Sequence, residues 1–156
     1  MNKGPYPYLA LSFVIYCLDQ LSKALVRRYL PQDEVVKVTS FFNLVYVENP
    51  GAAFGMFKSL GNAFFIVISL LASVAMAALV WKDPTNRLAC SLLLSGALGN
   101  MTDRIIYGTV TDFLDLHIAG YHWYAFNVAD SALTVGMILM LINGFLIAGK
   151  RPSTFR

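Results

Sequence analysis

Charged side chains are scarce in this sequence. Asp, Glu, Lys and Arg make up 13% of its 156 residues, whereas apolar residues make up 57% and the mean hydropathy is +0.59. A soluble domain usually carries about 25% charged residues. The shortfall, together with long apolar runs, indicates an integral membrane protein. The net charge of +3 is small and the basic residues form no continuous stripe, which excludes a nucleic-acid-binding protein.

Several catalytic signatures are also absent. The sequence has no His-Glu-x-x-His zinc motif, no Gly-x-Ser-x-Gly elbow and no Gly-rich phosphate loop. Cys17 and Cys90 lie in apolar segments without a histidine nearby in sequence, and His117 and His122 are expected at the membrane interface rather than on a metal. We therefore expect no metal and no cofactor. The remaining chemistry belongs to carboxylates, of which a close pair shares a proton and can serve as acid and base.

Four apolar segments are long enough to cross the hydrocarbon core, which takes about 20 helical residues. They are residues 8–26, 63–81, 88–106 and 126–147. Lys82, Asp83 and Pro84 predict a tight polar turn between the second and third segments. The sequence thus predicts a single all-α membrane domain over residues 1–156, with four transmembrane helices.

Two connections lie outside these segments. Residues 31–57 contain β-like runs at 35–39 and 44–47 and a turn at 49–51, so we expect a small extracytoplasmic β-like substructure between helices 1 and 2. Its small residues and exposed strand edge could bind an extended peptide. Residues 107–125 are rich in aromatic side chains, which favours a loop at the headgroup level.

The polar residues converge on one side of the membrane. Because successive spans alternate in direction, the ends of spans one and three meet the starts of spans two and four. Basic residues are slightly more numerous on the opposite side, which favours cytoplasmic termini and an extracytoplasmic polar face. The converging residues are Asp19, Lys23, Asn49, Asn100, Asp103, Arg104, Asp112, Asn127 and Asp130.

Spacing suggests local roles for the residues at the ends of spans one and four. Asp19 and Lys23 are four apart, as in a structural ion pair on one helix face. Asn127 and Asp130 could be the cap and first-turn acid of span four, or part of a site. Asp112 resembles a site residue, but spacing alone leaves Asp115 open as the alternative.

One face of span three is polar, since Asn100, Asp103 and Arg104 are spaced i, i+3 and i+4. Asp103 and Arg104 could form a structural network in which Arg104 neutralises Asp103. Alternatively, Arg104 could hold a substrate carbonyl or orient a carboxylate. We expect Asp103 to be supporting rather than catalytic, although an Asp103–Asp130 pair remains an alternative.

Three function classes fit these features. The first is an aspartyl endopeptidase at a membrane face. The second is a proton-coupled transporter with Asp19, Asp103 and Asp130 as a relay. It is disfavoured because span two is apolar throughout and the opposite half of the membrane is bare of polar residues apart from Asn143. The third is a membrane scaffold, in which asparagine in place of Asp112 or Asp130 would leave function intact.

Five stretches match, in order, the motifs of one known family. The chain resembles the lipoprotein signal peptidases (signal peptidase type II), which are bacterial membrane aspartyl proteases. Departures from the family pattern are modest and concern Pro50, Thr111 and Tyr124. The matching stretches are DQLSK at 19–23, NPGAAFG at 49–55, GALGNMTDR at 96–104, GTVTDF at 108–113 and FNVADS at 126–131.

The resemblance implies an activity and a location. The family cleaves the signal peptide from diacylglyceryl-modified prolipoproteins, just before the lipidated cysteine, in the bacterial cytoplasmic (inner) membrane. It is inhibited by globomycin, and we expect a monomer. The family's catalytic aspartates fall on Asp112 and Asp130, and Asp19 and Lys23 match a structural motif. Positions that line the family's substrate pocket fall on Asn49, Asn100, Arg104 and Asn127.

Overall fold

The computed structural model describes residues 4–51 and 61–148. Its helices are α1 (Tyr6–Tyr29), α2 (Gly61–Lys82), α3 (Arg87–Tyr107) and α4 (Val128–Ala148), and they coincide closely with the four predicted segments. Helix α4 begins later than predicted because Asn127 caps it. Between α2 and α3 the predicted turn is present, with Asp83 Oδ1 accepting a hydrogen bond of 3.0 Å from the Thr85 backbone N–H.

Three of the helices within the described residues, α1, α2 and α4, are long and apolar enough to cross a membrane. Helices α3 and α4 are equally long, with 21 residues each, but α3 contains the buried polar side chains of Asn100, Asp103 and Arg104. Because α3 packs against the other three helices, these side chains face protein and not lipid. The outer faces of α2 and α4 carry large exposed apolar side chains such as Leu71 and Phe145, as expected for a membrane protein.

An antiparallel sheet lies beside the helix ends, with strands β1 (Val36–Lys37), β2 (Phe42–Asn49), β3 (Val110–Ile118) and β4 (Tyr121–His122) in that order. The expectation of a small sheet is correct, but confining it to residues 31–57 was wrong. Strands β3 and β4 come from the connection that was predicted to be an aromatic-rich loop. Pairing between β2 and β3 joins segments far apart in sequence, so local pattern did not reveal it.

Helices α3 and α4 approach so closely that a side chain at Gly96 has no room. A Cβ atom built there would lie 2.5 Å from the Ala129 carbonyl oxygen and 2.6 Å from Leu133 Cγ. Gly99 is similarly crowded, because its Cβ would lie 2.6 Å from Asp19 Oδ2. Glycine therefore brings the start of α4, which carries Asp130, against α3.

We predict that Gly96→Ala lowers the free energy of unfolding by about 1–3 kcal/mol, since a backbone oxygen must move to admit the methyl group. Thermal unfolding of the purified protein in detergent measures this effect. Gly144→Ala on α4 is the matched control, because among the described residues no atom beyond the adjoining backbone of α4 lies within 4 Å of its Cβ position. Equal melting temperatures for the two variants would contradict the close packing of α3 and α4.

Candidate active site

A cavity of about 750 Å³ lies between α2, α3, α4 and the sheet. Its walls toward the middle of the helices are apolar and come from α2 and α4. Its other end, beside the sheet, is polar and gathers side chains from both connections and two helices. The polar lining residues include Asn49, Asn100, Arg104, Asp112 and Asp130, and the apolar ones include Ile68, Ala72, Leu133 and Val135.

The register of β3 decides which of its two aspartates faces the cavity. Side chains alternate along a strand, so Asp112 shares a face with Val110 and Leu116, which also line the cavity. Asp115, three residues further on, lies on the opposite face. There it accepts a hydrogen bond of 2.8 Å from Asn43 Nδ2 and lies 2.9 Å from His122 Nδ1. Of the two aspartates that the sequence left open, Asp112 is therefore the one that lines the cavity.

Asp130 is placed by the start of α4. The Asp130 backbone N–H donates to Asn127 Oδ1 at 2.8 Å, and the Asn127 backbone N–H donates to Asp130 Oδ2 at 3.2 Å. This reciprocal arrangement is a capping box, which satisfies two of the free backbone donors at the helix terminus. The same geometry leaves Asp130 on the cavity wall. The capping interpretation and the site interpretation are therefore compatible.

Asn127 links the two carboxyls. Its side chain is completely buried, and Nδ2 donates to Asp112 Oδ1 at 2.7 Å while Oδ1 accepts from the Asp130 backbone. Asn49 reaches Asp112 from the other side, with Nδ2 donating to Oδ2 at 3.0 Å. Asn49 Oδ1 accepts from the Gly51 backbone N–H at 2.9 Å, so the same residue also stabilises its own turn.

The protonation of Asp112 is set by its surroundings. Burial, reinforced by the charge of Asp130, raises the pKa of Asp112 from 3.8 to about 7, although hydrogen bonds from Asn49 and Asn127 oppose the rise. A carboxyl with such a pKa can hold a proton near neutral pH. Two carboxyls on one cavity wall, one of them readily protonated, can together donate and accept a proton.

A buried ion network lies behind the cavity, between α1 and α3. Lys23 Nζ lies 2.8 Å from Asp19 and 3.4 Å from Asp103, and Arg27 Nη2 lies 2.7 Å from Asp103. Asp19 Oδ1 also accepts a hydrogen bond of 2.8 Å from the Ala129 backbone N–H at the start of α4. The predicted Asp19–Lys23 pair is present, and it extends into a network that ties three helices together.

The expected partner of Asp103 was wrong. Arg27 and Lys23 pair with Asp103, whereas Arg104 points to the cavity and donates to the Gly51 carbonyl at 2.8 Å. Consecutive residues of a helix point about 100° apart, so Asp103 and Arg104 face different neighbours. The Asp103 side chain is fully buried and belongs to the ion network behind the cavity.

Sequence reasoning missed Arg27 and Thr111. Arg27 Nε donates to Thr111 Oγ1 at 2.8 Å, and the Thr111 backbone N–H donates to Asp103 Oδ2 at 3.0 Å. Arg27 Nη2 and Asp103 Oδ1 form a close ion pair, but their relative orientation does not make a hydrogen bond. Arg27 lies one helical turn beyond Lys23 on the same face of α1, and that spacing was the available signal. Together they hold β3 one residue before Asp112.

Two further predictions concern the segment after β2 and the absence of a metal. The small residues Ala52 and Ala53, proposed to approach a substrate, lie outside the described residues.

Within the described residues, no group of three His, Cys, Asp or Glu side chains could hold a metal ion. His117 and His122 stack with their ring centroids 4.9 Å apart on β3 and β4. Metal independence stays a prediction about the reaction.

The chain is similar to known proteins over most of its length. The chain is 50% identical over 129 residues to the lipoprotein signal peptidase of Thermodesulfovibrio yellowstonii, covering 83% of this chain and 88% of that protein. It is 42% identical to the lipoprotein signal peptidase of a Janthinobacterium species, covering 92% of this chain and 91% of that protein. A bacterial membrane enzyme solved by the in meso method superposes with a TM-score of 0.85 at 31% identity, covering 96% and 94% of the two chains. The family model described as signal peptidase (SPase) II matches residues 11–146, and the chain therefore belongs to the signal peptidase II family of membrane peptidases.

Proposed function

We propose that this peptidase removes signal peptides from diacylglyceryl-modified prolipoproteins, cleaving before the lipidated cysteine, with Asp112 and Asp130 as its two catalytic carboxyls. The observation that carries the proposal is the position of both carboxyls on one cavity wall, joined through Asn127. One carboxyl accepts a proton from the attacking water while the other donates a proton to the scissile carbonyl oxygen. The reaction needs no metal and no cofactor.

The polar residues around the pair have distinct roles. Asn127 and Asn49 orient Asp112, and Asn100 Nδ2 donates to Asp130 Oδ1 at 2.7 Å. Arg104 holds the Gly51 carbonyl at the cavity edge, and its remaining guanidinium donors are available to a substrate carbonyl. Asn49, Asn100 and Asn127 thus act on the substrate mainly by fixing the carboxyls.

The shape of the cavity supports a lipid-modified substrate. Its apolar walls come from α2 and α4, whose outer faces are exposed and apolar. Acyl chains can remain in the apolar part while the peptide bond reaches the polar end. The site is assembled from one chain, which suits a monomer. A cyclic peptide such as globomycin would occupy the same cavity.

The orientation follows from the substrate and the helix ends. All four helices cross the membrane, including α3, whose polar side chains are shielded by its neighbours. The catalytic pair and the sheet lie at the extracytoplasmic face of the bacterial inner membrane, where exported prolipoproteins arrive. Both termini are cytoplasmic, in keeping with the slight excess of basic residues on that side.

Cleavage of a lipid-modified prolipoprotein peptide by the purified full chain tests this function. The product should end just before the lipidated cysteine, and the same peptide without its diacylglyceryl group should be a poor substrate. A chelator should leave the rate unchanged. Equal cleavage of the lipidated and unlipidated peptides, or loss of activity on chelation with recovery on adding zinc, would contradict the proposal.

Activity should fall as the pH rises through about 7. A pair that works with one proton loses that proton as Asp112 ionises, and kcat/KM then drops about tenfold per pH unit. The measurement is a pH profile of lipopeptide cleavage at fixed detergent concentration. Asp115→Asn should reproduce the wild-type profile, because Asp115 lies on the opposite face of β3. A rate independent of pH between about 6 and 9 would exclude the shared proton.

A further inference from the structure

The two carboxyls of the proposed pair have unequal surroundings. Asp130 lies in the first turn of α4, where the helix dipole favours a negative charge. Its Oδ2 accepts the Asn127 backbone N–H at 3.2 Å, and its Oδ1 accepts Asn100 Nδ2 at 2.7 Å. These are the interactions of an ionised carboxylate. Each of them weakens if Asp130 takes up a proton.

Lys23 fixes the direction of the Asn100 amide. The Lys23 ammonium donates to Asn100 Oδ1 at 3.0 Å, and Asn127 Nδ2 donates to the same oxygen at 3.2 Å. A flipped amide would place its NH₂ group against both donors. Asn100 must therefore present Nδ2, which can only donate, to Asp130. The charge of a completely buried lysine is in this way relayed to one carboxyl of the pair.

Asp112 has weaker support for a negative charge. It lies on a strand and not in the first turn of a helix, and it accepts hydrogen bonds from the neutral side-chain amides of Asn49 and of Asn127, the residue that caps α4. Neither Asp112 nor Asp130 forms an ion pair among the described residues, so the difference between them lies in their hydrogen-bond donors and in the helix dipole. Burial and the charge of Asp130 raise the pKa of Asp112 to about 7. A proton on Asp112 removes the repulsion and leaves the contacts of Asp130 intact.

The charges around the proposed pair sum to zero only if either Asp112 or Asp130 is neutral. Lys23 and Arg27 on α1 and Arg104 on α3 supply three positive charges, and Asp19 on α1 and Asp103 on α3 supply two negative ones. One ionised carboxyl completes the balance. A second would leave an uncompensated negative charge in a buried region, which is costly.

From this asymmetry we infer that the resting enzyme carries its shared proton on Asp112, and that Lys23, acting through Asn100, is the positioning residue that keeps Asp130 ionised. The inference rests on the proposed two-carboxyl function and assigns the roles within it. Asp130 is the base toward water, and Asp112 is the acid toward the carbonyl oxygen.

The assigned roles close a complete cycle. Asp130 takes a proton from water as the water oxygen bonds to the carbonyl carbon, and Asp112 gives its proton to the carbonyl oxygen, which yields a gem-diol. The C–N bond then breaks as Asp130 returns its proton to the leaving nitrogen. Asp112 recovers a proton from one hydroxyl of the diol. The products are a carboxylic acid and an amine, and both aspartates regain their starting states.

Infrared spectroscopy of the full chain in lipid nanodiscs tests the location of the proton. At about pH 6 the wild type should show the C=O stretch of a buried carboxylic acid that disappears as the pH rises. Asp112→Asn should remove this band, and Asp130→Asn should retain it with a lower titration midpoint, because the neighbouring charge is gone. A band that survives in Asp112→Asn, or no such band in the wild type, overturns the assignment.

Asn100→Leu and Asn100→Ala remove the amide through which Lys23 acts on Asp130. Lys23 itself keeps Asp19 and Asp103 as partners in both variants. Without the Asn100 donor, the ionised form of Asp130 is less stable, so an acid band should appear at about pH 6 when either change is combined with Asp112→Asn. Asn43→Ala, which removes an amide–carboxylate bond to Asp115, is the control. No band in either folded double variant overturns the role of Lys23.

These measurements do not depend on turnover. If the Asp112 and Asp130 variants cleave normally, the proposed function fails, whatever the spectrum shows. If both variants lose activity and the acid band follows Asp130, only the assignment of the proton fails.

Discussion

Asparagine in place of either Asp112 or Asp130 is expected to lower kcat by about 10²- to 10⁴-fold, the range that general acid–base catalysis contributes. Each change removes one of the two proposed proton carriers while preserving the size of the side chain. If the two carboxyls act as a unit, as proposed, the double variant should lose little more activity than either single variant. Cleavage of a lipid-modified peptide, measured at saturating substrate, gives the comparison.

Asp115→Asn is the matched control for this prediction. It replaces an aspartate on the same strand, three residues away, whose side chain contacts Asn43 and His122 on the opposite face. Its kcat should stay within about twofold of the wild-type value. Full activity of either Asp112→Asn or Asp130→Asn in correctly folded protein would remove that residue from the catalytic pair.

Lys23→Met should be the most destabilising of the changes considered, lowering the free energy of unfolding by about 3–5 kcal/mol. Methionine fills a similar volume but leaves Asp19 without its cation and Asp103 with only Arg27. Both carboxylates are completely buried, so the uncompensated charge cannot reach water. Thermal unfolding in detergent, followed by helix circular dichroism, measures the loss.

Arg28→Met, five residues further along α1, provides the control. Arg28 is exposed and stacks over Tyr29, at 5.5 Å from the ring centroid, outside the ion network. Its replacement should change the free energy of unfolding by no more than about 0.5 kcal/mol. If Lys23→Met and Arg28→Met unfold at the same temperature, the buried network does not stabilise the helix bundle.

The separation of stability from chemistry follows from the layout of the charges. Asp19 and Asp103 are sealed between α1 and α3, whereas Asp112 and Asp130 line the cavity. Asp103→Asn should therefore lower the free energy of unfolding, while the folded variant should still bind globomycin. Normal binding without turnover in that variant, together with turnover in Asp112→Asn, would make Asp103 the partner of Asp130.

The four helices and several local contacts could be predicted from the sequence because they depend on residues close together in the chain. Length and hydropathy gave the helices, since the hydrocarbon core sets how many apolar residues a span needs. The Asp19–Lys23 pair and the Asn127–Asp130 cap follow from spacings of four and three residues, which place side chains on one helix face or at one helix end.

The remaining features depend on which distant segments meet, and only the tertiary structure decided them. Pairing of β2 with β3 created the sheet and its register, which turned Asp112 toward the cavity and Asp115 away. Packing of α1 against α3 gave Asp103 its partner Arg27 in place of its neighbour Arg104. A shift of one residue in a strand, or a rotation of about 100° in a helix, changes which side chain faces the cavity. The strand register and the helix rotation are both fixed by contacts between segments far apart in the sequence.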